Sequence, residues 1–263
     1  MEVHRPAAEG VDDELIVHDE PHDCPYLPGR QMRAPLRMPV RFLSEAAFDA
    51  RLRAGDRRIG PFLYRTECPG CVACEPIRVD ANAFEPSASQ RRVLRHGDAR
   101  FRIAIEEPSY APEKFLLYER HKLLRGLAQE GESHDPSSYE GAFARSCVST
   151  FELQVRDRDD DRLVALSILD CGHEAVSAVY CFWDPRDAAS SPGTYAILRE
   201  LLMCRDAGWR WLYLGLYIEG CRPMRYKARY VPHERLIGGR WVRFVESAPR
   251  GGARCTRQED CGD

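Results

Sequence analysis

No uninterrupted apolar run in this 263-residue chain approaches the ~18 residues that a membrane-spanning helix needs, which excludes a helical membrane protein. The start of the chain has little positive charge. Within residues 1–23, Glu2, Glu9, Asp12, Asp13, Glu14, Asp19, Glu20 and Asp23 stand against Arg5 alone, so the basic start and apolar middle of a secretory signal are missing. The expectation is a cytoplasmic protein with a flexible acidic leader over residues 1–23. An even set of cysteines is also lacking: the 11 present cannot all pair within one chain. Without a secretory signal, clustered cysteines read as metal ligands rather than as a disulfide framework. No internal repeat is visible, and no large excess of one charge, the formal net charge being -3.

That small net value hides two basic segments. One holds Arg91, Arg92, Arg95, His96, Arg100 and Arg102; the other holds Arg222, Arg225, Lys227, Arg229, Arg235, Arg240 and Arg243 against Glu234. Local basic density attracts phosphate whatever the global balance. By charge alone, a solvated face fits these runs as well.

With 44% apolar and 30% charged residues the composition is that of a soluble chain, long enough for two modest domains. Residues 24–108 are broken by Pro and Gly into short pieces, with a helix expected from Ser44, a capping residue, to Ala54 before Gly55. Phe101–Glu106 alternates as a half-buried strand does. From Pro112 the pattern turns helical, with Leu116, Leu123 and Leu127 near one face and Gly131 after it. Residues 151–155, 163–169 and 175–183 read as successive strands with short polar turns, which suits antiparallel pairing. A helix over about 194–207 with Leu198, Leu201 and Leu202 inward stops at Gly208. A strand over 211–217, a helix near 222–230 and a last strand near 241–245 follow. The fold class expected is α+β: a GNAT-like acyltransferase core, with an antiparallel-rich mixed sheet and helices, beside a smaller cysteine-bearing N-terminal domain. The boundaries are 24–108 for the cysteine-bearing domain, 109–246 for the transferase domain and 247–263 for a flexible tail.

Cys68, Cys71 and Cys74 form C-x2-C-x2-C, a spacing that lets one tight loop aim several thiolates at one ion or cluster. Arg78 stands where a ferredoxin-type fourth cysteine would fall, so Cys24, held between Pro25 and Pro28, is the candidate fourth ligand. Four sulfurs suit an iron–sulfur cluster or zinc equally. Reduced, partly buried thiols are the plain alternative. Cys147, Cys171, Cys181 and Cys204 sit singly in apolar segments and read as core.

Four stretches together resemble the arginyl- and leucyl-tRNA–protein transferase family: Cys24 to Arg33 (CPYLPGRQMR), Tyr64 to Cys74 (YRTECPGCVAC), Phe84 to Arg92 (FEPSASQRR) and Tyr213 to Glu234 (YLGLYIEGCRPMRYKARYVPHE). Their order and spacing cover most of the chain. The compact length is similar to the bacterial branch, which implies leucine from Leu-tRNA as donor, proteins with N-terminal Asp or Glu as acceptors, and a place in N-end rule degradation. The chain departs from the family pattern at Gly215-Leu-Tyr-Ile218, Arg222-Pro-Met224 and Ser191-Pro-Gly-Thr194, where Gly-Tyr-Trp-Ile, Pro-Lys-Met and Ser-Leu-Gly-Thr are usual. These changes fall beside the expected site and bear on donor or acceptor preference.

The reaction so implied is attack of a neutral α-amine on the ester linking an amino acid to the tRNA terminal ribose. The ester is already activated, so neither ATP nor acetyl-CoA is expected. An N-terminal amine of pKa about 7.7 to 8.0 is partly neutral at physiological pH, and positioning supplies much of the rate. Tyr226, Lys227 and the amides near Gly193 and Thr194 are candidates to hold the developing oxyanion. An acidic acceptor calls for a cation, ideally Arg. Arg78, Ser89, Gln90, Arg91, Arg92 and Arg229 are the expected substrate-binding residues, the arginines of the first part facing the same cleft as Lys227. Three other readings stay open: transfer of arginine; an acyl-CoA-dependent N-acetyltransferase, disfavoured because residues 188–193 offer one Gly and a Pro lacking an N–H to a pyrophosphate; and a non-catalytic metal- or cluster-bearing RNA-binding or redox-sensing protein.

Overall fold

The computed structural model of the chain describes residues 14–127 and 135–246. Ten short elements precede the legible second half. Strands β1 (Glu14–His18), β2 (His22–Asp23), β3 (Gln31–Met32) and β4 (Leu36–Pro39) come first, then helix α1 (Glu45–Arg53). Strands β5 (Arg57–Ile59), β6 (Phe62–Tyr64) and β7 (Glu75–Asp80) follow, then helix α2 (Ala88–Arg100) and strand β8 (Phe101–Glu106). Helix α3 (Pro112–Leu124) and a short helix α4 (Pro136–Tyr139) lead to β9 (Thr150–Asp157), β10 (Leu163–Cys171) and β11 (Ala175–Trp183). Helix α5 (Pro192–Ala207), β12 (Trp211–Tyr217), a tight helical segment over Arg222–Arg229, β13 (His233–Ile237) and β14 (Arg240–Phe244) complete the described chain.

The architecture is α+β, built on an eight-stranded mixed sheet of order β14-β13-β7-β12-β11-β10-β9-β8. Every neighbouring pair is antiparallel except β11 and β12. A four-stranded sheet, β1-β4-β6-β5, and the β2–β3 hairpin lie beside it. The large sheet draws strands from both sides of residue 108, since β7 sits between β12 and β13 while β8 forms an edge. No helix among the described residues is long and apolar enough to cross a membrane.

Alternation along the strands assigns the two faces. Leu212 and Leu214 join a core with Leu198, Leu201 and Cys204 of α5, whereas Trp211 and Tyr213 join Phe48 and Leu52 of α1. Leu166, Ile168 and Phe182 pack with Leu117 of α3, Tyr139 and Phe143. Burying each such side chain is worth about 1.5–3 kcal/mol, so this two-sided central sheet carries most of the apolar stabilisation.

Local signals set several boundaries. Ser44 caps α1 by accepting from the Ala47 amide at 3.2 Å, and Gly208 closes α5 in a left-handed conformation. Helix α2 is not among the elements expected from the sequence. Its 13 residues bury little beyond Gln90 and Gly97, so no apolar stripe shows, but Ser87 and Gln90 form a reciprocal capping box that starts it. Helix α3 buries Leu117 and His121 rather than the expected Leu116 and Leu123, which are 57% and 73% exposed, and Gly126 rather than Gly131 follows it. Gly131 lies outside the described residues. Of the acidic leader, residues 14–23 are not loose: Glu14 pairs with Arg37 at 3.2 Å and Arg51 at 2.7 Å, holding β1 against β4. Residues 1–13 and the tail from 247 onward also lie outside the described residues.

One buried ion pair joins the small sheet to the large one. Arg58 of β5 donates through Nε to Asp170 of β10 at 2.7 Å, both side chains fully buried. The guanidinium also reaches the carbonyls of Gly60 and Arg145, and Asp170 accepts from Thr150 Oγ1 at 2.8 Å. Removing one member of such a pair strands the other charge. Asp170→Ala is therefore expected to lower stability by about 3–5 kcal/mol, measured by urea unfolding; a loss near that of an ordinary surface substitution would show that the pair does not anchor the sheets.

Candidate active site

The two parallel strands β11 and β12 pair only through Ala175–Ser177 and Trp211–Tyr213, although both run on beyond these residues. Two irregularities part them. The β10–β11 register steps between Ile168 and Leu169, leaving Val179 unmatched, and the β12–β7 register steps between Tyr213 and Leu216. Gly215, in this second irregularity, has φ 84°, a backbone conformation glycine adopts without strain. The parted strands leave a cavity of about 680 Å³. Strand residues Ala178, Val179, Leu214 and Leu216 form part of its wall. Gly193, Thr194 and Glu200 of α5, Tyr226 and Lys227 of the Arg222–Arg229 segment, Arg57 and Tyr64 of the small sheet, and Arg125 after α3 supply polar groups.

The entrance to α5 is braced from behind. Asp184 is fully buried and accepts from Arg120 at 2.9 Å and Arg186 at 2.6 Å, with the Arg186 amide at 3.0 Å. Burial pushes its carboxyl up, but these hydrogen bonds and charges outweigh that and hold it at about 2. The helix then begins at Pro192 after a left-handed Ser191 and has no side-chain cap. Its first amides and positive dipole end stay available at the cavity wall. Gly193 permits this placement, because a Cβ there would meet Trp183 Nε1 at 2.8 Å.

Inside, the charges are unusually arranged. Lys227 is buried, donating from Nζ to the Leu216 carbonyl at 2.7 Å and lying 3.3 Å from Met224 Sδ. Burial, then repulsion from Arg57, brings its ammonium down to about 7. Glu200 is fully buried and forms no ion pair among the described residues; burial pushes its carboxyl up to about 7 against a weaker pull from Ser167. The Tyr226 hydroxyl is raised by burial, although the residue as a whole is 40% exposed. Opposed shifts within one cleft are the signature of groups able to exchange protons near neutrality.

Of the expected site residues, Tyr226, Lys227, Gly193 and Thr194 line this cavity. Arg78 does not. It is buried between Trp211 and Trp241, 3.9 and 4.1 Å from the ring centres, and bonds Glu234 at 2.7 Å and Tyr213 at 2.9 Å, so its fork is occupied on the α1 face. Arg91 and Arg92 are exposed on α2 rather than in the cavity, and Ser89 is exposed beside Ser87, 3.1 Å between hydroxyls. Gln90 is buried and donates to the Arg229 carbonyl at 3.4 Å. That contact sets the start of α2 against the Arg222–Arg229 segment, so the two basic runs meet there. Arg229 itself points to solvent.

Two family models describe this chain: arginine-tRNA-protein transferase, N terminus, over residues 22–92, and arginine-tRNA-protein transferase, C terminus, over residues 113–237. The chain belongs to this transferase family. Among its relatives is an aspartate/glutamate leucyltransferase of Aeromonas hydrophila, 36% identical over 87% of this chain and 94% of the relative. Proteins of the same name from Thiobacillus denitrificans and Gluconacetobacter diazotrophicus are 36% and 34% identical, covering 84% and 92% of this chain and 90% and 94% of theirs. Among solved structures, L-PGS from Bacillus licheniformis is similar at a TM-score of 0.44 and 13% identity, over 56% of this chain and 46% of that one, too distant to bear on function.

In this transferase the cysteine loop borders the cavity. Cys74, Tyr26 and Leu27 pack with Leu216 and Cys221, and Tyr26 and Tyr64 reach the cavity wall. Burial pushes the Cys74 thiol up to about 12, with Cys68, Cys24 and Cys71 adding to the rise, so the four thiols share one neighbourhood. Cys71 is lowered by the Ala73 amide and then by Arg30, whose NH1 lies 3.3 Å from its sulfur. Among the described residues, however, no three ligating side chains are drawn together as a metal site.

Arg57, Glu200 and His121 were not anticipated at the cavity. Glu200 left a trace in the sequence, a carboxylate on the buried face of α5 between Ile197 and Cys204. Arg57 left none.

The chain has only Lys114 and Lys122 besides Lys227, and both are buried. An amine reacts when neutral, and the neutral fraction of Lys227 rises through a pKa of about 7. Labelling with a small amine reagent, mapped by mass spectrometry, is expected to modify Lys227 with a midpoint near pH 7; a midpoint near that of free lysine would show an ordinary ammonium.

Proposed function

We propose that this transferase moves leucine from Leu-tRNA to the N-terminal Asp or Glu of acceptor proteins in the cytoplasm, marking them for N-degron degradation. The observation that carries the reading is the cavity between β11 and β12, where one helix N-terminus, Lys227 and Glu200 meet, in a chain 36% identical to an aspartate/glutamate leucyltransferase. A parallel pair splayed beside a helix is also what supports reading the core as a GNAT-type acyltransferase. Acetyl-CoA is disfavoured because Pro192 removes one amide from the helix start.

In the proposed step the α-amine nitrogen of the acceptor attacks the ester carbonyl carbon. A C–N bond forms, the C–O bond to the tRNA ribose breaks, and the proton lost by the amine ends on the ribose oxygen. Glu200, unpaired and near neutrality, relays that proton. Lys227 keeps a donor free beyond its bonds to Leu216 and Met224, and with the α5 amides it stabilises the oxyanion. Tyr226 orients the ester beside it. No step consumes ATP. The tRNA lies along the exposed arginines where the two basic runs meet, Arg91, Arg92 and Arg229, none of which forms an ion pair among the described residues.

Under the same reading the thiols of Cys24, Cys68, Cys71 and Cys74 take up zinc or an iron–sulfur cluster. The donor set and the shared neighbourhood support this, although the thiols are not drawn into ligand geometry, and the transfer step does not pass through it. Metal analysis and an absorbance spectrum of anaerobically purified protein distinguish the two.

Incubation with radiolabelled Leu-tRNA is expected to label peptides beginning with Asp or Glu. Labelling from Arg-tRNA instead would overturn the donor, and no labelling from either would overturn the reaction. At subsaturating acceptor, where kcat/KM reports the free enzyme, the rate is expected to follow a bell centred near pH 7, rising as Glu200 ionises and falling as Lys227 loses its proton. Glu200→Gln should flatten the acid limb and slow turnover by about 10²-fold; an unchanged acid limb would remove Glu200 from the proton path.

A further inference from the structure

We infer that Arg57 is the residue that recognises the acidic side chain of the acceptor, its guanidinium receiving the carboxylate in the gap between β11 and β12. The inference rests on the acceptor reading above and adds the residue that selects for it.

Arg57 stands apart from its neighbours. Arg58 is bonded to Asp170, Arg37 to Asp56, Arg78 to Glu234 and Arg235 to Glu75. Among the described residues Arg57 has no carboxylate partner; NH2 makes one long bond, 3.4 Å, to the Ala178 carbonyl, and the buried Nε has no acceptor, as is also true of Arg58 Nη2 and Arg235 Nε, whose guanidiniums are already charge-paired. A buried donor left unmet is costly unless something arrives to meet it. The fold nevertheless makes room for the group. A Cβ at position 215 would fall on the Arg57 guanidinium, so only a glycine there, at φ 84°, lets it enter between the strands.

The charges entering the cavity identify the ligand. The leucyl side chain is apolar and both α-amines carry or lose positive charge, so neither suits a guanidinium. The acceptor carboxylate is the anion covalently attached to the attacking amine, and Arg presents a planar fork that matches it. A volume of about 680 Å³ accommodates the two reacting residues with the terminal ribose. Phosphates have the exposed arginines of α2 and the Arg222–Arg229 segment instead.

Seating the carboxylate also changes Lys227. Arg57 repels the Lys227 ammonium, and a bound anion cancels that repulsion, so the oxyanion donor becomes protonated when an acidic acceptor is in place. A neutral acceptor side chain gives no such effect.

The test compares peptides beginning with Asp and with Asn, using Leu-tRNA as donor. Wild type is expected to prefer Asp; if it transfers leucine to both equally, the acceptor reading fails. Given that preference, Arg57→Ala should lower kcat/KM for the Asp peptide by roughly 30-fold or more, change the Asn peptide far less, so that the preference for Asp is lost, and keep Leu-tRNA affinity. Retained preference for Asp, or loss of Leu-tRNA binding with the preference intact, overturns the assignment while leaving the reaction in place. Should Arg57→Ala not fold, Arg57→Lys carries the same comparison, with a smaller loss confined to the Asp peptide. A second measurement needs no variant. An Asp-dipeptide analogue lacking the α-amine should move the labelling midpoint of Lys227 upward in wild type, whereas the Asn analogue should not; equal behaviour of the two overturns the inference.

Discussion

Arg58 and Asp170 hold each other where no water reaches either, and the position of the small sheet follows from that contact. Successive strand residues point to opposite sides, so fixing Arg58 toward β10 turns Arg57 the other way, toward the gap beyond Ala178. A slip of one residue in β5 would exchange the two arginines and bury the wrong charge. The pair thus acts less as a source of net stability than as a register mark, since a buried ion pair repays its desolvation only with good geometry.

The cavity depends on that placement in a second way. Its charged groups sit where screening is weak, so each shifts the next: Arg57 depresses Lys227, and burial keeps Glu200 from ionising fully. Around them the structure spends its firm ion pairs on scaffolding. Asp184 with Arg120, Arg162 and Arg186 fixes the approach to α5, and Arg78 with Glu234 ties β7 to β13. Glu200 and Arg57, which form no ion pair among the described residues, lie at the opening between β11 and β12.

Strands β8 to β12 and helix α5 were legible in the sequence because each carries its own period or an apolar run such as Leu163 to Leu169, buried almost throughout. The strands β5 and β6 were not, being three residues long and specified by what they pack against. Helix α2 was missed because its stability comes from a capping box rather than an apolar stripe. At the cavity, Lys227, Tyr226, Gly193 and Thr194 came from the family resemblance, which marks residues regardless of burial. Glu200 shows only as a carboxylate on the apolar face of α5, and Arg57 reads as an ordinary surface charge until packing is known. Arg78 shows the reverse: an arginine expected to bind substrate is sandwiched between two tryptophans.

Strand β7 has β12 on one side and β13 on the other, both made long after it. As the chain leaves the ribosome, β7 emerges with two unsatisfied edges and the buried side chains Ile77 and Val79 uncovered, and neither edge closes until the last strands have been synthesised. The early part of the chain therefore waits for the late part. Such long-range pairing slows folding and leaves a nascent strand open to association, so this protein is one whose yield in a cell will follow translation pace and chaperone supply more closely than its final stability.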